Sequence, residues 1–398
     1  MTFFLNNCGI ICALGGQLEE VKCELLVHAK TGIQLTDKWS KKGLLPLGLV
    51  NATLPDISHL PHRLQSRNNQ LVLAALNQIR DAVDAAIKEF GADRVGIVLG
   101  TSTSGISGTE EALQHHTEHT ALPDDFHYAQ QEMGSVTEFL AYELQTSGPA
   151  YVHSSACSSS AKAMASAARL IQMGLCDAVI TGGADSLCQF TVAGFSALDS
   201  VSKQVCQPMS VHRDGINIGE GAALFLMSKR PATVGLCGWG ESSDGHHMSA
   251  PDPTGVGAKL AIQQALHRAK LDASDIDYIN MHGTATIQND AMESRVIFDL
   301  FGSDVLVSST KAFTGHALGA AAAIEAALCW LSMQEDNPLG LVPPHLWDGE
   351  FDPALPQLNL SKKGTALGRP LQYVLSNSFA FGGSNASLIL GYFGKHVP

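Results

Sequence analysis

Residues 151–183 constrain the fold of this chain more than any other stretch. Residues 151–155 are typical of the end of a strand, and apolar residues then recur at helical spacing, namely Met164, Ala168, Ile171 and Leu175. Gly174 stands where glycine commonly ends a helix, and residues 177–181 predict the next buried strand. The stretch therefore predicts a strand, a helix and a second strand in succession.

Cys157 lies at the predicted turn between the first strand and the helix. Backbone amides and the dipole at a helix N-terminus favour a thiolate and lower the pKa of a cysteine there. The residues around it are small enough to admit a substrate: Ala156, Ser158, Ser159 and Ser160. The alternative is a buried structural cysteine, so this stretch alone leaves a nucleophilic Cys157 as an open hypothesis.

The composition excludes several classes of protein. The chain has 398 residues, is 45% hydrophobic and carries 25 basic and 38 acidic residues, a net charge of −13 that argues against nucleic-acid binding. Nine cysteines without a CxxC pair are typical of reduced thiols, so we expect a cytoplasmic protein. Because no run of about 20 apolar residues occurs, no membrane span is expected.

Predicted strands and helices alternate along the chain, and a second set of similar pieces begins near Val234. In each half an alanine-rich helix follows a strand, at residues 161–173 and 317–333. So many alanines indicate helices packed closely on several sides. We therefore expect an α/β protein with mostly parallel sheets, made of two similar halves, 1–233 and 234–398, that share one interior.

Loops that follow four predicted strands contain reactive or very small residues. They hold Cys157, His282, Lys311 together with His316, and residues 379–385. Ligand sites gather at the carboxyl ends of parallel strands, so one cysteine and two histidines there form a plausible nucleophile set. The chain has 16 histidines, and these two stand out because each lies beside a glycine in a turn.

Five motifs around these residues follow one another with consistent spacing. They are Ser155-Ala-Cys157-Ser-Ser-Ser, Arg213-Asp-Gly with Gly219-Glu-Gly221, His282-Gly-Thr-Ala with Asp290 and Glu293, Thr310-Lys311 with Thr314-Gly-His316 and Glu325, and Asn377-Ser-Phe-Ala-Phe381-Gly-Gly-Ser-Asn385. Over essentially its whole length the chain thus resembles the β-ketoacyl-acyl-carrier-protein synthases of the thiolase superfamily. The resemblance implies a thiolase-like αβαβα layered fold, with the nucleophile in residues 1–233 and both catalytic histidines in residues 234–398.

The resemblance also implies a reaction, the decarboxylative Claisen condensation that gives a 3-oxoacyl-acyl-carrier-protein. Cys157 is expected to accept the acyl chain, and His282 and His316 to bind the malonyl thioester carbonyl and promote decarboxylation. Two imidazoles can donate hydrogen bonds to the enolate oxygen, and neutral rings suffice, so we expect the pair to stay uncharged. No cofactor and no metal are expected.

Further residues are expected to support this reaction. Lys311 resembles the lysine that orients the site, with Glu325 as its partner. The backbone amides of Cys157 and Phe381 resemble the oxyanion hole, and Phe381 resembles the gating aromatic residue. Ala380 departs from the family because glycine is common there, which puts the gating in doubt.

Other departures from the family indicate a subtype. Pro208-Met-Ser, Ile216 and Thr286-Ile-Gln-Asn replace the usual residues. Together with residues 67–70, 100–105 and 241–250, these departures resemble the ketosynthases of bacterial aryl polyene pigment clusters. The resemblance therefore implies fatty-acid-like or aryl polyene and type II polyketide synthesis.

Two kinds of protein partner follow from the resemblance. The first is an acyl carrier protein in its acyl and malonyl forms. The second is another ketosynthase-like chain, in a homodimer or in a heterodimer with a chain-length subunit, paired through the strand beside the nucleophile helix. Because the chain and its carrier are both acidic, docking needs a locally basic surface. Arg63 and Arg67 precede an amphipathic helix predicted over 69–90, and they share a face if that helix extends back to them.

The same residues argue against several rival hypotheses. A biosynthetic thiolase needs a second cysteine near the C-terminus, but the last cysteine is Cys329, inside the alanine-rich helix. Initiating synthases pair one histidine with an asparagine, and a non-catalytic chain-length subunit lacks the nucleophile. A metal site is the last alternative, because His115 and His119 are four residues apart, but no further ligand set has matching spacing.

Overall fold

The structure, a computed structural model, describes residues 2–41, 43–124 and 126–394, without the side chain of His119. The strands are β1 Phe3–Ile11, β2 Ile33–Thr36, β3 Leu45–Gly48, β4 Val95–Gly100, β5 Ala150–His153, β6 Ala178–Asp185, β7 Gly221–Ser228, β8 Val234–Ser243, β9 Tyr278–Asn280, β10 Leu306–Ser308, β11 Asn359–Leu360, β12 Tyr373–Ala380 and β13 Ser384–Tyr392. The helices are α1 Leu18–Lys22, α2 Arg67–Asn77, α3 Arg80–Phe90, α4 Ile106–His119, α5 Ser135–Leu144, α6 Ser159–Gln172, α7 Gln189–Ala197, α8 Val256–Ala269, α9 Ile287–Phe301, α10 Lys311–Thr314 and α11 Ala321–Ser332. None of these helices combines the length and the apolar character needed to cross a bilayer.

One large sheet runs through both halves of the chain. Its strand order is β11-β10-β9-β12-β13-β8-β1-β7-β6-β4-β5, and the halves meet where β1 pairs with β8. Strands β2 and β3 form a separate sheet, and β11 is an extra edge strand. When these three are left out of the count, the strands of each half follow the same order from edge to centre: third, second, fourth, fifth, first. The same strand order thus occurs in both halves. The division at residues 233 and 234 stays a prediction, because the sheet is continuous across it.

The sheet is mixed, so the expectation of mostly parallel strands is wrong. Strands β4, β5 and β6 are parallel, as are β12, β9, β10 and β11, but β1, β7, β8 and β13 pair antiparallel with their neighbours. In the second half, β12 turns directly into β13 instead of crossing over through a helix, so that pair is antiparallel. The parallel strands lead into the turns that contain Cys157 and His282.

Helices α6 and α11 form a buried layer between the halves, as their alanine content predicted. Both helices contact β6 and β13, and they also contact each other. Their alanines belong to one core that includes Phe225 of the first half and Leu390 of the second. Gly315, with a positive φ of 71°, ends the short helix α10, and α11 begins only at Ala321, after a 3-10 turn over Leu318–Ala320.

The helix predicted over 69–90 is two helices, α2 and α3. They are separated at Gln78 and Ile79, because the Gln78 amide donates to the carbonyl oxygens of Ile10 and Gly16 in the first strand region. The Ser66 side chain caps the start of α2. Residues 31–62 contain the two-stranded sheet of β2 and β3.

Candidate active site

Cys157 lies in a tight turn between β5 and α6, as predicted. Ala156 has a positive φ of 51°. Hydroxyl groups close the turn: Ser159 Oγ accepts from the Ser155 amide at 2.9 Å and donates to the Ala156 carbonyl at 2.5 Å. Strand β4 runs close to the start of α6, and a Cβ at Gly100 would lie 2.3 Å from the amide nitrogen of Ser160. The turn is thus held by its own backbone and by neutral hydroxyls.

The pKa of Cys157 moves in the direction opposite to the one expected from its helix terminus. The side chain is buried, and this burial raises the pKa of the thiol to about 11. The nearby Lys311 and the backbone amides of Phe381 and Cys157 lower that pKa, but by less. Desolvation therefore outweighs the helix terminus, and the resting group is a neutral thiol. The same two amides bond to the sulfur, and their role as an oxyanion hole stays a prediction.

His282 follows β9, and a buried carboxylate holds its loop. Glu293, on α9, accepts from the amides of His282 at 2.8 Å and Gly283 at 2.7 Å. Burial raises the pKa of Glu293 to about 7. The sequence motif contained Glu293, but its role as the clamp of the histidine loop becomes visible only in the structure.

His316 lies beside His282, as the predicted nucleophile set requires. Its amide donates to the Asn217 carbonyl at 2.6 Å, and its carbonyl accepts from the Gly219 amide at 3.0 Å. The two imidazole rings lie 5.4 Å apart, edge to face. The ligand atoms of Cys157 and both histidines all lie within 4.8 Å of one another. Three residues far apart in sequence thus face one small space.

A buried ion pair stands behind the histidines. Lys311 Nζ donates to Glu325 Oε1 at 2.5 Å and to His282 Nδ1 at 3.3 Å, and both charged side chains are buried. Because an ammonium group can only donate, Nδ1 of His282 accepts, and the ring proton is on Nε2. Burial and the charge of Lys311 hold the pKa of His282 and of His316 well below the ordinary value. Both rings are therefore neutral at pH 7, in agreement with the expectation.

Phe381 lies in the turn between β12 and β13 and covers the site. Its ring is 5.6 Å from the ring of Phe195 on α7. Ala380 has an ordinary φ of −94°, so alanine fits where the family usually has glycine. Gly382 and Gly383 have positive φ values of 79° and 72° and supply the turn. The departure at Ala380 therefore leaves the shape of the turn intact.

The cavity at this site is small, about 50 Å³, and has room for only a few waters. Cys157, His282, His316, Phe195 and Phe381 are among the residues that line it. A second cavity of about 300 Å³ adjoins it and shares residues with it, namely Ser200, Ser249, Thr286 and Gln288. An acyl chain would therefore need the two phenylalanines to move apart.

Arg63 and Arg67 occupy different surroundings, because the helix does not extend back to Arg63 and the condition for a shared face is not met. Helix α2 begins at Arg67, and Arg63 lies in a separate 3-10 turn. Arg67 is bonded to the buried Glu220 at 2.8 and 2.5 Å, whereas the exposed Arg63 pairs with the exposed Glu138 at 3.0 Å. The Arg67 charge is thus engaged inside the protein. A docking role for the two arginines stays a prediction.

Asp185 is a buried residue that the sequence reasoning missed. It ends β6 and accepts hydrogen bonds from Thr101, Ser102 and Thr103 at 2.7 to 2.8 Å, and from the Ala320 amide at 3.1 Å. It therefore ties the loop after β4 to the residue before α11. The available signal was a carboxylate at the end of a buried apolar strand, where ligand sites gather.

The metal alternative gains no support from the residues around α4. His115 Nδ1 bonds to the Ala121 carbonyl oxygen at 3.0 Å. The side chain of His119, the other half of that pair, lies outside the described residues.

Comparison with known proteins identifies the family. Residues 24–232 match the family model of the β-ketoacyl synthase N-terminal domain, and residues 234–346 match that of the C-terminal domain. The mitochondrial 3-oxoacyl-acyl-carrier-protein synthase of Arabidopsis thaliana is 34% identical over 346 residues, 80% of this chain and 73% of that protein. The 3-oxoacyl-acyl-carrier-protein synthase 1 of Haemophilus influenzae is 31% identical over 406 aligned residues, 97% of each protein.

A solved structure is also similar along nearly the whole chain. It is that of the ketosynthase ApeO in complex with its chain length factor ApeC from Xenorhabdus doucetiae, with 42% identity, a TM-score of 0.92 and 98% of each chain covered. A β-ketoacyl synthase from Burkholderia phymatum is 28% identical with a TM-score of 0.88, over 99% of this chain and 100% of the other. These matches confirm the predicted thiolase-like α/β fold, and the chain belongs to the β-ketoacyl synthase family.

Proposed function

We infer that this chain condenses an acyl group on Cys157 with malonyl-acyl-carrier-protein and releases a 3-oxoacyl-acyl-carrier-protein and CO₂. The observation that carries this inference is the convergence of one thiol and two neutral imidazoles within 4.8 Å. The chain is accordingly an acyltransferase of the ketosynthase class. In the proposed division, residues 1–233 supply the nucleophile and residues 234–398 supply both histidines.

The first half-reaction loads the acyl chain. Cys157 Sγ attacks the carbonyl carbon of the acyl thioester, and the amides of Cys157 and Phe381 stabilise the oxyanion. The bond to the carrier sulfur then breaks, and the proton of the Cys157 thiol goes to the departing carrier thiol. A neutral thiol matches the pKa of about 11 at Cys157, because no free thiolate has to persist in the cavity.

The second half-reaction makes the carbon–carbon bond. The malonyl thioester loses CO₂, and its carbonyl oxygen takes up enolate charge between Nε2–H of His282 and the ring N–H of His316. The carbanion attacks the acyl carbonyl on Cys157, the bond to the cysteine sulfur breaks, and the sulfur leaves as a thiolate that takes a proton from water. Lys311 fixes the tautomer of His282 and opposes its protonation.

The rival activities lack their essential groups. A thiolase would need a second acid–base cysteine, but Cys329 is fully buried in α11, and burial raises its pKa far above the ordinary value. A chain-length subunit would not need Cys157, His282 and His316 together in one cavity. The ketosynthase reaction uses all three.

Protein partners are proposed on the same basis. We propose that the chain works with an acyl carrier protein and pairs with a second ketosynthase-like chain, either a copy of itself or a chain-length subunit. Two observations support this: β5 is at the edge of the large sheet, and ApeO, which is 42% identical, was solved with its chain length factor. Light scattering at micromolar concentration should give a dimer mass, alone or with the co-expressed partner. A monomer in both cases would contradict the pairing.

The subtype and the location are finer proposals. We propose the aryl polyene type, on the strength of residues 67–70, 100–105 and 241–250. We also propose that the protein is cytoplasmic, which is supported by nine free cysteines. Product analysis with aromatic and aliphatic starter thioesters tests the subtype.

Intact-protein mass spectrometry tests the central proposal. The chain, with its partner if one is needed, is incubated with a panel of acyl-carrier-protein thioesters and then with malonyl-acyl-carrier-protein. We expect an acyl mass on Cys157 that disappears on the second addition, together with a carrier that gains a 3-oxoacyl chain. Cys157→Ala should show neither change. Equal condensation by wild type and Cys157→Ala would refute the proposal.

A further inference from the structure

A partly buried lysine lies in the first turn of α6, five residues after the nucleophile in the chain. Lys162 of α6 donates from Nζ to the hydroxyl of Ser384 at 2.6 Å. Ser384 is the first residue after the turn that carries Phe381. The ammonium group thus reaches from the nucleophile helix of the first half to the gate loop, residues 381–384 of the second half.

The bond from Lys162 is the first of a directed series. Because Ser158 gives its only hydroxyl proton to a backbone carbonyl, its Oγ accepts from the Ser384 hydroxyl at 3.0 Å. The Ser158 hydroxyl in turn donates to the Ser155 carbonyl at 2.9 Å. Ser158 directly follows Cys157 in the chain. The series therefore connects the two backbone segments whose amides form the oxyanion hole.

Among the charged groups around Lys162, no carboxylate of the described residues pairs with its ammonium, so the Ser384 hydroxyl is its main hydrogen-bond partner. Glu241 of β8, Arg169 of α6 and His153 of β5 face this ammonium. Glu241 is bonded to Arg169, and no carboxylate contact to Lys162 occurs among the described residues. Burial, with Arg169 adding to it, lowers the pKa of Lys162 below the usual lysine value, and Glu241 opposes this. A partly buried cation with so little compensation is costly to keep, which points to a task beyond stability.

We propose that Lys162 is a positioning residue that holds the gate loop against the nucleophile turn and so keeps the two oxyanion amides at their working distance. The role rests on the proposed condensation. This role differs from that of Lys311, which bonds to His282, whereas the described hydrogen bond of Lys162 is to Ser384. A loose gate loop would still allow the thiol to react with small reagents, but it would stabilise the oxyanion less.

A double-mutant cycle tests the series directly. Lys162→Met and Ser384→Ala should each lower kcat of condensation about tenfold, the equivalent of about 1.4 kcal/mol, with little change in KM for the carrier. The double variant should be no slower than either single variant, because both break the same connection. Lys162→Arg and Ser384→Thr should recover most of the rate. Lys88→Met, at an exposed lysine of α3, is the matched control and should behave as wild type.

Two readouts do not depend on condensation. Hydrogen exchange at the amides of residues 381–384 should become faster in Lys162→Met and Ser384→Ala but not in Lys88→Met. Alkylation of Cys157 by iodoacetamide should change less than twofold. If the wild type fails to condense, the proposed function fails, while exchange still tests the loop. If exchange and kcat are unchanged in Lys162→Met, or if the two losses multiply in the double variant, the positioning role is wrong.

The pH dependence gives a third test. Because the folded pKa of Lys162 is below the usual lysine value, its charge is lost as pH rises through that lower value. Wild-type kcat should then fall on the alkaline side at a lower pH than in Lys162→Arg, whose guanidinium stays charged. Glu241, Arg169 and His153 are unchanged in both proteins, so the difference reports Lys162. Identical alkaline limbs would overturn the proposal.

Discussion

The nucleophile turn and the histidine loops reach the same cavity by different physical means. The turn at Cys157 is closed by neutral hydroxyls of Ser158 and Ser159, and it has no charged group of its own. The histidine loops depend on buried carboxylates: Glu293 clamps the His282 loop and Glu325 holds Lys311. The first half therefore fixes the position of the Cys157 sulfur, whereas the second half fixes the protonation state of His282 and His316. Loss of a buried charge should therefore damage the second half most, because the turn at Cys157 contains none.

The largest expected effect separates the two halves by reaction step. Cys157→Ala should abolish both acylation and condensation while keeping the fold, because only the sulfur is lost. His282→Ala and His316→Ala should still take up an acyl group but condense about 10²–10³-fold more slowly, the loss expected for one oxyanion donor. Mass spectrometry measures acylation, and product formation measures condensation. Normal condensation by either histidine variant would remove that residue from the site.

Removing one charge behind the histidines should cost stability as well as rate. Lys311→Met leaves Glu325 buried without its cation, so we expect the free energy of unfolding to fall by about 3–5 kcal/mol. The double variant Lys311→Met with Glu325→Gln removes both charges and should recover most of that loss. Urea unfolding measures both. Equal losses in the single and double variants would show that the pair acts through packing and not through charge.

Two backbone substitutions should affect the halves unequally. Gly283 has a φ of 39°, and a Cβ there would lie 2.5 Å from Cβ of Ser309, so Gly283→Ala must displace the His282 loop. We expect a loss of about tenfold or more in condensation, on the scale of about 1.4 kcal/mol for each factor of ten. Ala156→Gly relieves a positive φ of 51° and should keep the rate within about twofold. A larger loss of condensation in Ala156→Gly than in Gly283→Ala would contradict this expectation.

Condensation, which depends on the histidines, and alkylation of Cys157 should respond to pH in different ranges. The pKa values of His282 and His316 are lowered, so both rings stay neutral as pH falls past the ordinary histidine value. Condensation should therefore persist below pH 6.5 and decline only at lower pH, when the rings protonate. Cys157 alkylation should keep rising with pH towards the thiol pKa of about 11. An acid limb at pH 6.5 or above would show that the histidines are not desolvated as the structure has them.

The smallest expected effect lies outside both regions, at the predicted carrier surface. Arg63→Glu should raise KM for the acyl carrier protein a fewfold and weaken its salt dependence, because a rim charge mainly steers association. Acylation by a small carrier-free thioester should not change. Arg67→Glu is not an equivalent variant, since it would place a carboxylate against the buried Glu220. Equal losses on carrier-bound and carrier-free substrates would show that Arg63 serves the fold.

The turn at Cys157 and the turns beside His282 and His316 could be predicted, because short strands, glycines and small residues mark them locally. The break between α2 and α3 could not, because it depends on Gln78 reaching β1, which is 68 residues away in sequence at Ile10. The direction of the Cys157 pKa was predicted wrongly for a related reason. A helix terminus is visible in the sequence, but the burial that outweighs it is not.

The sequence by itself determined the alternation of strands and helices and the buried alanine-rich helices, and it pointed to the residues proposed to react. Hydrophobic periodicity and turn residues act over a few residues, so a reader of the sequence can see them. Only the tertiary structure decided which groups are charged and what each charge contacts. Arg67 meets Glu220 across 153 residues, and Lys162 meets Ser384 across 222. Desolvation and Coulomb interactions depend on such distances in space, which spacing along the chain does not reveal.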